Sequence, residues 1–359
     1  MKLIFDCRYI RMDHHDGISR FSAELFKALA TRVPLIALIH SKEQLALLPE
    51  KTEYIIGNDP TNPIAEVLLP LKLNKAGATH VFSPMQTMGS MGRKYKLVLT
   101  LHDLIYYKHP VAPSFLPLHV RVAWRLYHLS YWPVRLLLNR ADSVVTVSKT
   151  SRAHILNKRL TTKDVHVIYN APETTAVAIR TTDTSSPENR RRLVYMGSFM
   201  PYKNVECLVA GMRLLPEFEL VLLSKISEQR RVQLTELAGV SASRIIFRNG
   251  VSDAEYAQEL SNAFALVSAS KDEGFGIPLV EAMRQGCPIV VSDIEIFREV
   301  AANAASYFDP ASSKDFAERV RGLQSLEAWR TASSRSIARH SAFSWNASAE
   351  ELLAVLEAL

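Results

Sequence analysis

The sequence has little cysteine, no long apolar run and none of the familiar phosphate or metal signatures. Cys7, Cys207 and Cys287 are scattered and odd in number. They match no zinc or redox spacing, so they read as small buried hydrophobes in a reducing compartment. No apolar stretch approaches the roughly 20 residues needed to span a bilayer as a helix. The opening, MKLIFDCRY, places Asp6 and Arg8 where a signal peptide needs its apolar segment. It therefore reads as a first strand, and the protein as cytoplasmic. There is no GxxxxGKS/T loop, no GxGxxG, no HExxH and no Asp-x-Asp pair. A nucleotide would then be held by helix N-termini and basic side chains, with no metal and no other cofactor.

Acidic residues are outnumbered: the formal charge is +7 over 359 residues. That suits an anionic partner such as nucleic acid, a membrane surface or a phosphorylated substrate. No aromatic RNP pattern or paired zinc ligands are present, so nucleic acid is not expected. The length suggests about two domains, and an apolar share of 48% supplies two cores.

Short apolar runs alternate with helical stretches, which marks an α/β protein with parallel sheets. In the first half the expected strands are 3–6, 35–40, 96–103, 143–148 and 165–170, with a helix over 18–31. Residues 172–192 are rich in Thr, Ser and charge without apolar period, and read as a linker with a loop. A second unit has strands at 193–197, 219–224, 244–250, 264–270 and 288–293, and helices at 203–215 and 276–286. The domains are thus 1–172, 173–192 as linker, 193–343, and a C-terminal helix over 344–359 expected to pack back on the first domain. The result is two Rossmann-like domains, where ligands sit at strand carboxyl ends and in the cleft between domains.

Four strand-end segments carry chemistry. In SKDEGFGIPLVEAM (270–283), Gly274 and Gly276 permit unusual backbone and close ligand approach before a helix starting near Ile277. Its free N–H groups form an anion site. Glu273 and Glu281 flank it, and carboxylates accept hydrogen bonds from sugar hydroxyls. This suits a ligand with a sugar at each end of a diphosphate. The alternative is a tight turn and a solvent-exposed glutamate. In YMGSFMPYKN (195–204), Lys203 is expected to open a helix, where its charge is disfavoured unless an anion binds; the alternative is a solvated surface lysine. In TLHDLIYY (100–107), His102 and Asp103 end a strand, and the histidine can donate to a hydroxyl or phosphate or bond nearby backbone. In DHHDGISRF (13–21), Gly17 precedes a helix with Arg20 in its first turn, either a phosphate or acceptor approach or a plain turn.

Together with ADSVVTVSKTSRAHI, VIYNAPE, IIFRNGVSDAEY and FREVAANAASYFDP, these segments resemble family 4 glycosyltransferases over nearly the whole chain. These are retaining enzymes of the GT-B fold, in which two Rossmann-like domains face each other across a cleft, and EGFGIPLVE resembles their E-x7-E signature. The resemblance implies that Glu281 holds ribose hydroxyls and Glu273 the transferred sugar. Backbone amides at Phe275, Gly276 and Ile277, beside Gly274, would meet the sugar and distal phosphate. Lys203 would neutralise the leaving diphosphate, His102 would contact the donor, Gly17 would admit the diphosphate, and Val251 would lie against the base. Many members carry an arginine beside the lysine clamp. Here Ser198-Phe199-Met200 replaces it, so either the clamp is weaker or Ser198 donates a hydrogen bond in its place. TLHDLIYYKHP and DGISRF most resemble bacterial surface-polysaccharide mannosyltransferases, which implies GDP-mannose as donor and a glycan or lipid-linked acceptor.

The acceptor side is marked by 114–142, basic and aromatic. At helical spacing Arg121, Arg125, His128 and Arg135 share a face with Trp132, and Leu118, Val122, Leu126 and Leu129 share the next. The segment 114–140 is expected on an anionic membrane, at the inner face of the plasma membrane, or else as an ordinary helix with a solvated basic face, interrupted near Pro133. Two other functions remain open: a GT-B sugar-nucleotide epimerase, and a nucleotide-sugar-binding subunit without turnover.

Overall fold

The computed structural model describes residues 1–12, 16–111, 118–172 and 190–359. Most of the expected linker, the start of the 13–21 motif and residues 114–117 of the basic segment lie outside the described residues. The chain divides into two compact units, one within Met1–Glu173 plus Ser344–Leu359, the other within Thr174–Phe343.

The N-terminal unit runs β1 (Leu3–Asp6), α1 (Gly17–Ala30), β2 (Leu35–Ile39), β3 (Glu53–Ile56), α2 (Pro63–Lys75), β4 (His80–Ser83) and β5 (Lys96–Thr100). It continues with α3 (Ile105–Lys108), α4 (Leu118–His128), α5 (Trp132–Leu138), β6 (Ser143–Thr146), α6 (Lys149–Asn157) and β7 (Val165–Val167). The sheet order is β3-β2-β1-β4-β5-β6-β7, and every pairing is parallel. Its central strands are apolar runs because helices cover both faces; β1 and β6 are buried at every position. Asp16 caps α1 by accepting from Ser19 N at 2.9 Å.

The C-terminal unit runs β8 (Arg192–Tyr195), α7 (Val205–Gly211), β9 (Glu219–Leu222), α8 (Glu228–Ala238), β10 (Ile245–Phe247), α9 (Asp253–Asn262) and β11 (Ala265–Ser268). Then come α10 (Ile277–Arg284), β12 (Ile289–Ser292), α11 (Glu295–Ala301), β13 (Ala305–Phe308), α12 (Ser313–Arg321) and α13 (Leu326–His340). Its parallel sheet has the order β10-β9-β8-β11-β12-β13. Trp329 of α13 is fully buried, and its indole N–H donates to Phe264 O at 2.8 Å.

The last helix, α14 (Trp345–Glu357), belongs to the N-terminal unit. The Trp345 ring meets Phe21 at 6.0 Å, and its N–H donates to Pro172 O at 3.1 Å. Arg32, just past α1, pairs with Glu350 at 2.8 Å.

One expectation changes. The helix placed over 203–215 is shorter, because Pro201–Lys203 is a 3-10 turn and Asn204 is left-handed. The basic segment is two helices broken before Trp132, near the interruption expected at Pro133, which sits in the first turn of α5, where proline fits. Arg121, Arg125 and His128 therefore lie on α4 and Arg135 on α5. His128 in fact packs against Trp124, ring centroids 4.1 Å apart, and burial lowers its pKa.

Candidate functional site

The strand order of the C-terminal unit reverses between β8 and β11. Loops leaving these two strands diverge at the carboxyl edge, the crevice where open parallel sheets hold ligands. The β8 loop ends in Pro201–Lys203, followed by Asn204 at φ 53 and ψ 39. Asparagine is one of few residues that visit this region readily. Its amide donates to Ala269 O at 3.1 Å and to Pro310 O at 2.8 Å, fastening the loop to the ends of β11 and β13. Lys271 N donates to Tyr202 O at 2.8 Å, closing the two loops together.

Lys203 Nζ donates to Glu273 Oε1 at 2.6 Å, with the side chains only 15% and 13% exposed. Ser270 Oγ donates to the same oxygen at 2.7 Å, and Ser292 Oγ donates to the Ser270 carbonyl. This corrects the sequence reading in one respect. Lys203 closes a 3-10 turn and does not open a helix, since α7 begins at Val205. The side chain beside it is the Glu273 carboxylate. Asn204 and Ser270 escaped the sequence reading; the Lys-Asn step and a serine three residues before Glu273 were their only signals.

Gly276 precedes α10 at φ 92, and a Cβ there would sit 3.0 Å from the Phe297 ring, so only glycine fits. Gly274 is buried but is not among the glycines with positive φ, so the unusual backbone expected of both is found at Gly276 alone. Phe275 is buried and meets Phe343 edge-on at 5.6 Å. Ile277 and Pro278 open α10, and no side chain caps it. The first N–H groups of a helix lack intrahelical partners, and such an end attracts anions. Glu281, four residues in, is 9% exposed, which excludes the solvent-exposed alternative. Ser198 is exposed, and its carbonyl accepts from Tyr195 Oη at 2.6 Å. Val251, partly exposed, follows β10 and the left-handed Asn249 and Gly250 at the same sheet edge.

The N-terminal unit gathers a second group at its own carboxyl edge. His102 follows β5, and its Nε2 meets Pro84 O at 2.8 Å. Its ring contacts Phe21 of α1 at 5.2 Å. Burial lowers its pKa, against the opposing pull of the Pro84 bond and Asp16. A neutral ring donating through Nε2 offers Nδ1 as an acceptor. Of the two readings the sequence left open, the bond to nearby backbone is the one seen, and it holds the Nε2 proton. Asp103 Oδ1 accepts from Ile105 N at 2.9 Å at the start of α3. Gly17 is the first residue of α1 and Arg20 lies in its first turn.

The family model described as Glycosyltransferase Family 4 matches residues 75–175, and that described as Glycosyl transferases group 1 matches 181–339. The chain belongs to these glycosyltransferases. Among its relatives, the O-antigen chain mannosyltransferase RfbU of Salmonella typhimurium is 27% identical, over 64% of this chain and 61% of that protein. The O-antigen chain mannosyltransferase B of Escherichia coli is 25% identical over 96% of each chain. Solved structures share the fold at lower identity. Sucrose-phosphate synthase from Thermosynechococcus elongatus aligns with TM-score 0.75 and 18% identity over 99% of this chain and 98% of that one. WaaG, a glycosyltransferase involved in lipopolysaccharide biosynthesis, aligns with TM-score 0.71 and 14% identity over 99% of each. The fold is GT-B.

Proposed function

We propose that this chain is a retaining glycosyltransferase that moves mannose from GDP-mannose to a glycan or lipid-linked acceptor in surface-polysaccharide synthesis, without a metal. The observation that carries this reading is the Lys203–Glu273 pair at the strand switch, next to the uncapped start of α10. The mannosyl donor rests on the O-antigen mannosyltransferase relatives. Glu281 takes the ribose hydroxyls and Glu273 the sugar. The amides of Phe275, Gly276 and Ile277 face the sugar and distal phosphate. Ser198 offers its hydroxyl to the diphosphate, and Val251 supports the base. In the N-terminal unit His102 Nδ1 accepts from a donor hydroxyl, and Gly17, Arg20 and Asp103 serve the diphosphate or acceptor approach.

In the proposed reaction the bond from the anomeric carbon to the phosphate oxygen breaks, its electron pair leaving with the diphosphate. The acceptor hydroxyl attacks the same face and passes its proton to that phosphate oxygen. Lys203 and the α10 terminus stabilise the departing charge.

Thermal unfolding with GDP, UDP and their sugars, in EDTA, tests the donor site. A ligand at 100 times its Kd adds about 2.7 kcal/mol of stability. GDP and GDP-mannose should raise the melting temperature of wild type but not of Glu281→Ala. Stabilisation only with a divalent metal would sink the metal-free reading. Donor cleavage without acceptor product would indicate the epimerase, and binding without turnover over many acceptors the non-catalytic subunit.

We also propose that the N-terminal unit rests on an anionic membrane where a lipid-linked acceptor is presented. Between Leu104 and Ala141 the sequence has no acidic residue, but it has Lys108, Arg121, Arg125, Arg135 and Arg140. Leu118, Val122, Leu126 and Leu129 are exposed along α4 and its end, as is Trp132. Helix α2 shows a second exposed stripe of Ile64, Val67, Leu68 and Leu71. Both connections, β3 to β4 and β5 to β6, run the same way across the sheet, so right-handed crossovers put α2 and α4 on one face. Among the described residues no helix is long and apolar enough to cross a membrane, so the proposed contact is peripheral. The wild type should co-sediment with phosphatidylglycerol vesicles but not with neutral ones. Arg121→Glu with Arg125→Glu should weaken binding by at least 2 kcal/mol, roughly 30-fold. Unchanged sedimentation would refute the contact.

A further inference from the structure

The cation required for the leaving diphosphate is already occupied. Lys203 Nζ lies 2.6 Å from Glu273 Oε1, where a phosphate oxygen would be received. Ser270 holds that same oxygen at 2.7 Å, and Asn204 fixes the lysine loop to the ends of β11 and β13. The pair is thus built into the crevice and is not a chance meeting of two long side chains. A diphosphate reaching Lys203 must replace one charge-assisted hydrogen bond with another. It also leaves Glu273 without its counter-ion, in a largely buried place beside new negative charge.

An intact nucleotide sugar offsets that loss, because sugar hydroxyls can donate to Glu273 as Lys203 turns to phosphate. The bare nucleoside diphosphate brings no such donors. We infer that the Lys203–Glu273 pair is an internal competitor of the diphosphate, opened by the intact donor and closing again after transfer to help expel the nucleoside diphosphate product. This rests on the nucleotide-sugar reading above. It adds to Glu273 a role in product release, beyond its contact with the sugar.

Glu273→Gln keeps the shape and the Ser270 bond but removes the charge. Calorimetric titration of GDP, UDP, GDP-mannose and UDP-glucose into wild type, Glu273→Gln, Lys203→Ala and the double variant tests the inference, with melting curves to show that each is folded. The diphosphate that binds wild type should bind Glu273→Gln about tenfold tighter, a change of about 1.4 kcal/mol. The same substitution should give no gain in the Lys203→Ala background. The wild-type preference for the sugar form over the bare diphosphate should shrink or reverse in Glu273→Gln. Equal or weaker diphosphate binding by Glu273→Gln overturns the competitor role. A gain that persists without Lys203 also overturns it, because that would be simple loss of a negative charge. In both cases nucleotide binding itself stands, and with it the donor-site reading. Failure of every nucleotide to bind folded wild type overturns the donor site and the competitor together.

Discussion

Lys203→Ala is expected to lower kcat about 10²–10³-fold, the loss typical when one preorganised donor to a developing negative charge is removed. The charge appears on the diphosphate as the glycosyl bond breaks, so the lysine should matter more to turnover than to donor binding. Its position favours this. It sits at the strand switch, 15% exposed, on a turn fixed by Asn204. KM should move less than kcat, because removing the lysine also removes the competing ion pair. Lys203→Arg keeps the charge but not the compact ammonium, and should recover part of the rate. Transfer of labelled mannose from GDP-mannose to a lipid-linked acceptor fraction checks this. A Lys203→Ala enzyme with kcat within threefold of wild type would show that the departing charge is stabilised elsewhere. The folded state loses Glu273's only cationic partner among the described residues, so a fall of a few degrees in melting temperature should accompany the loss.

The placement of the glutamates and Gly276 was legible in the sequence because it is local. A strand, a glycine turn and a helix start lie within a dozen residues, and that order alone places a carboxylate on either side of a helix terminus. Lys203 was legible as a residue but not in its setting. The sequence shows a lysine near a helix start, but its partner lies 70 positions away, and no local pattern reveals that pairing. The same limit hid the staple formed by Asn204, whose partners lie 65 and 106 positions away. In the fold, the central strands of both sheets were plain apolar runs. Strands β3, β4 and β13 were not anticipated; β3 and β13 are edge strands with exposed or half-exposed faces. For His102 the sequence left open a donor to ligand and a bond to backbone, because the group that decides, the Pro84 carbonyl, lies 18 residues away.

The same long-range logic gives the largest expected stability effect. Arg8 is 1% exposed just past β1, beside the strand switch of the N-terminal sheet. Its Nε and Nη2 donate to the Asp6 carboxylate at 2.8 and 2.9 Å, and its Nη1 to Glu66 of α2. Asp6 also accepts from Ser83 Oγ at 3.0 Å, and Glu66 from Asn58 Nδ2 at 2.7 Å and Gly89 N at 3.1 Å. Burial opposes the guanidinium charge, but the two carboxylates outweigh it and raise the Arg8 pKa. One cation thus joins the end of β1, helix α2 and two loops. Arg8→Met should cost about 3–5 kcal/mol, because it leaves two buried carboxylates without a counter-ion. For a unit of this size that is a fall of about 10 °C in melting temperature. Arg8→Lys keeps a charge but loses the fork, and should fall between. If uncompensated charge is the cause, Arg8→Met combined with Asp6→Asn and Glu66→Gln should recover more than half of the loss, since a neutral replacement of a buried ion cluster is often close to neutral in energy. A triple variant no more stable than Arg8→Met would assign the cost to lost packing of the arginine stem, and the network would then be a matter of shape and not of charge.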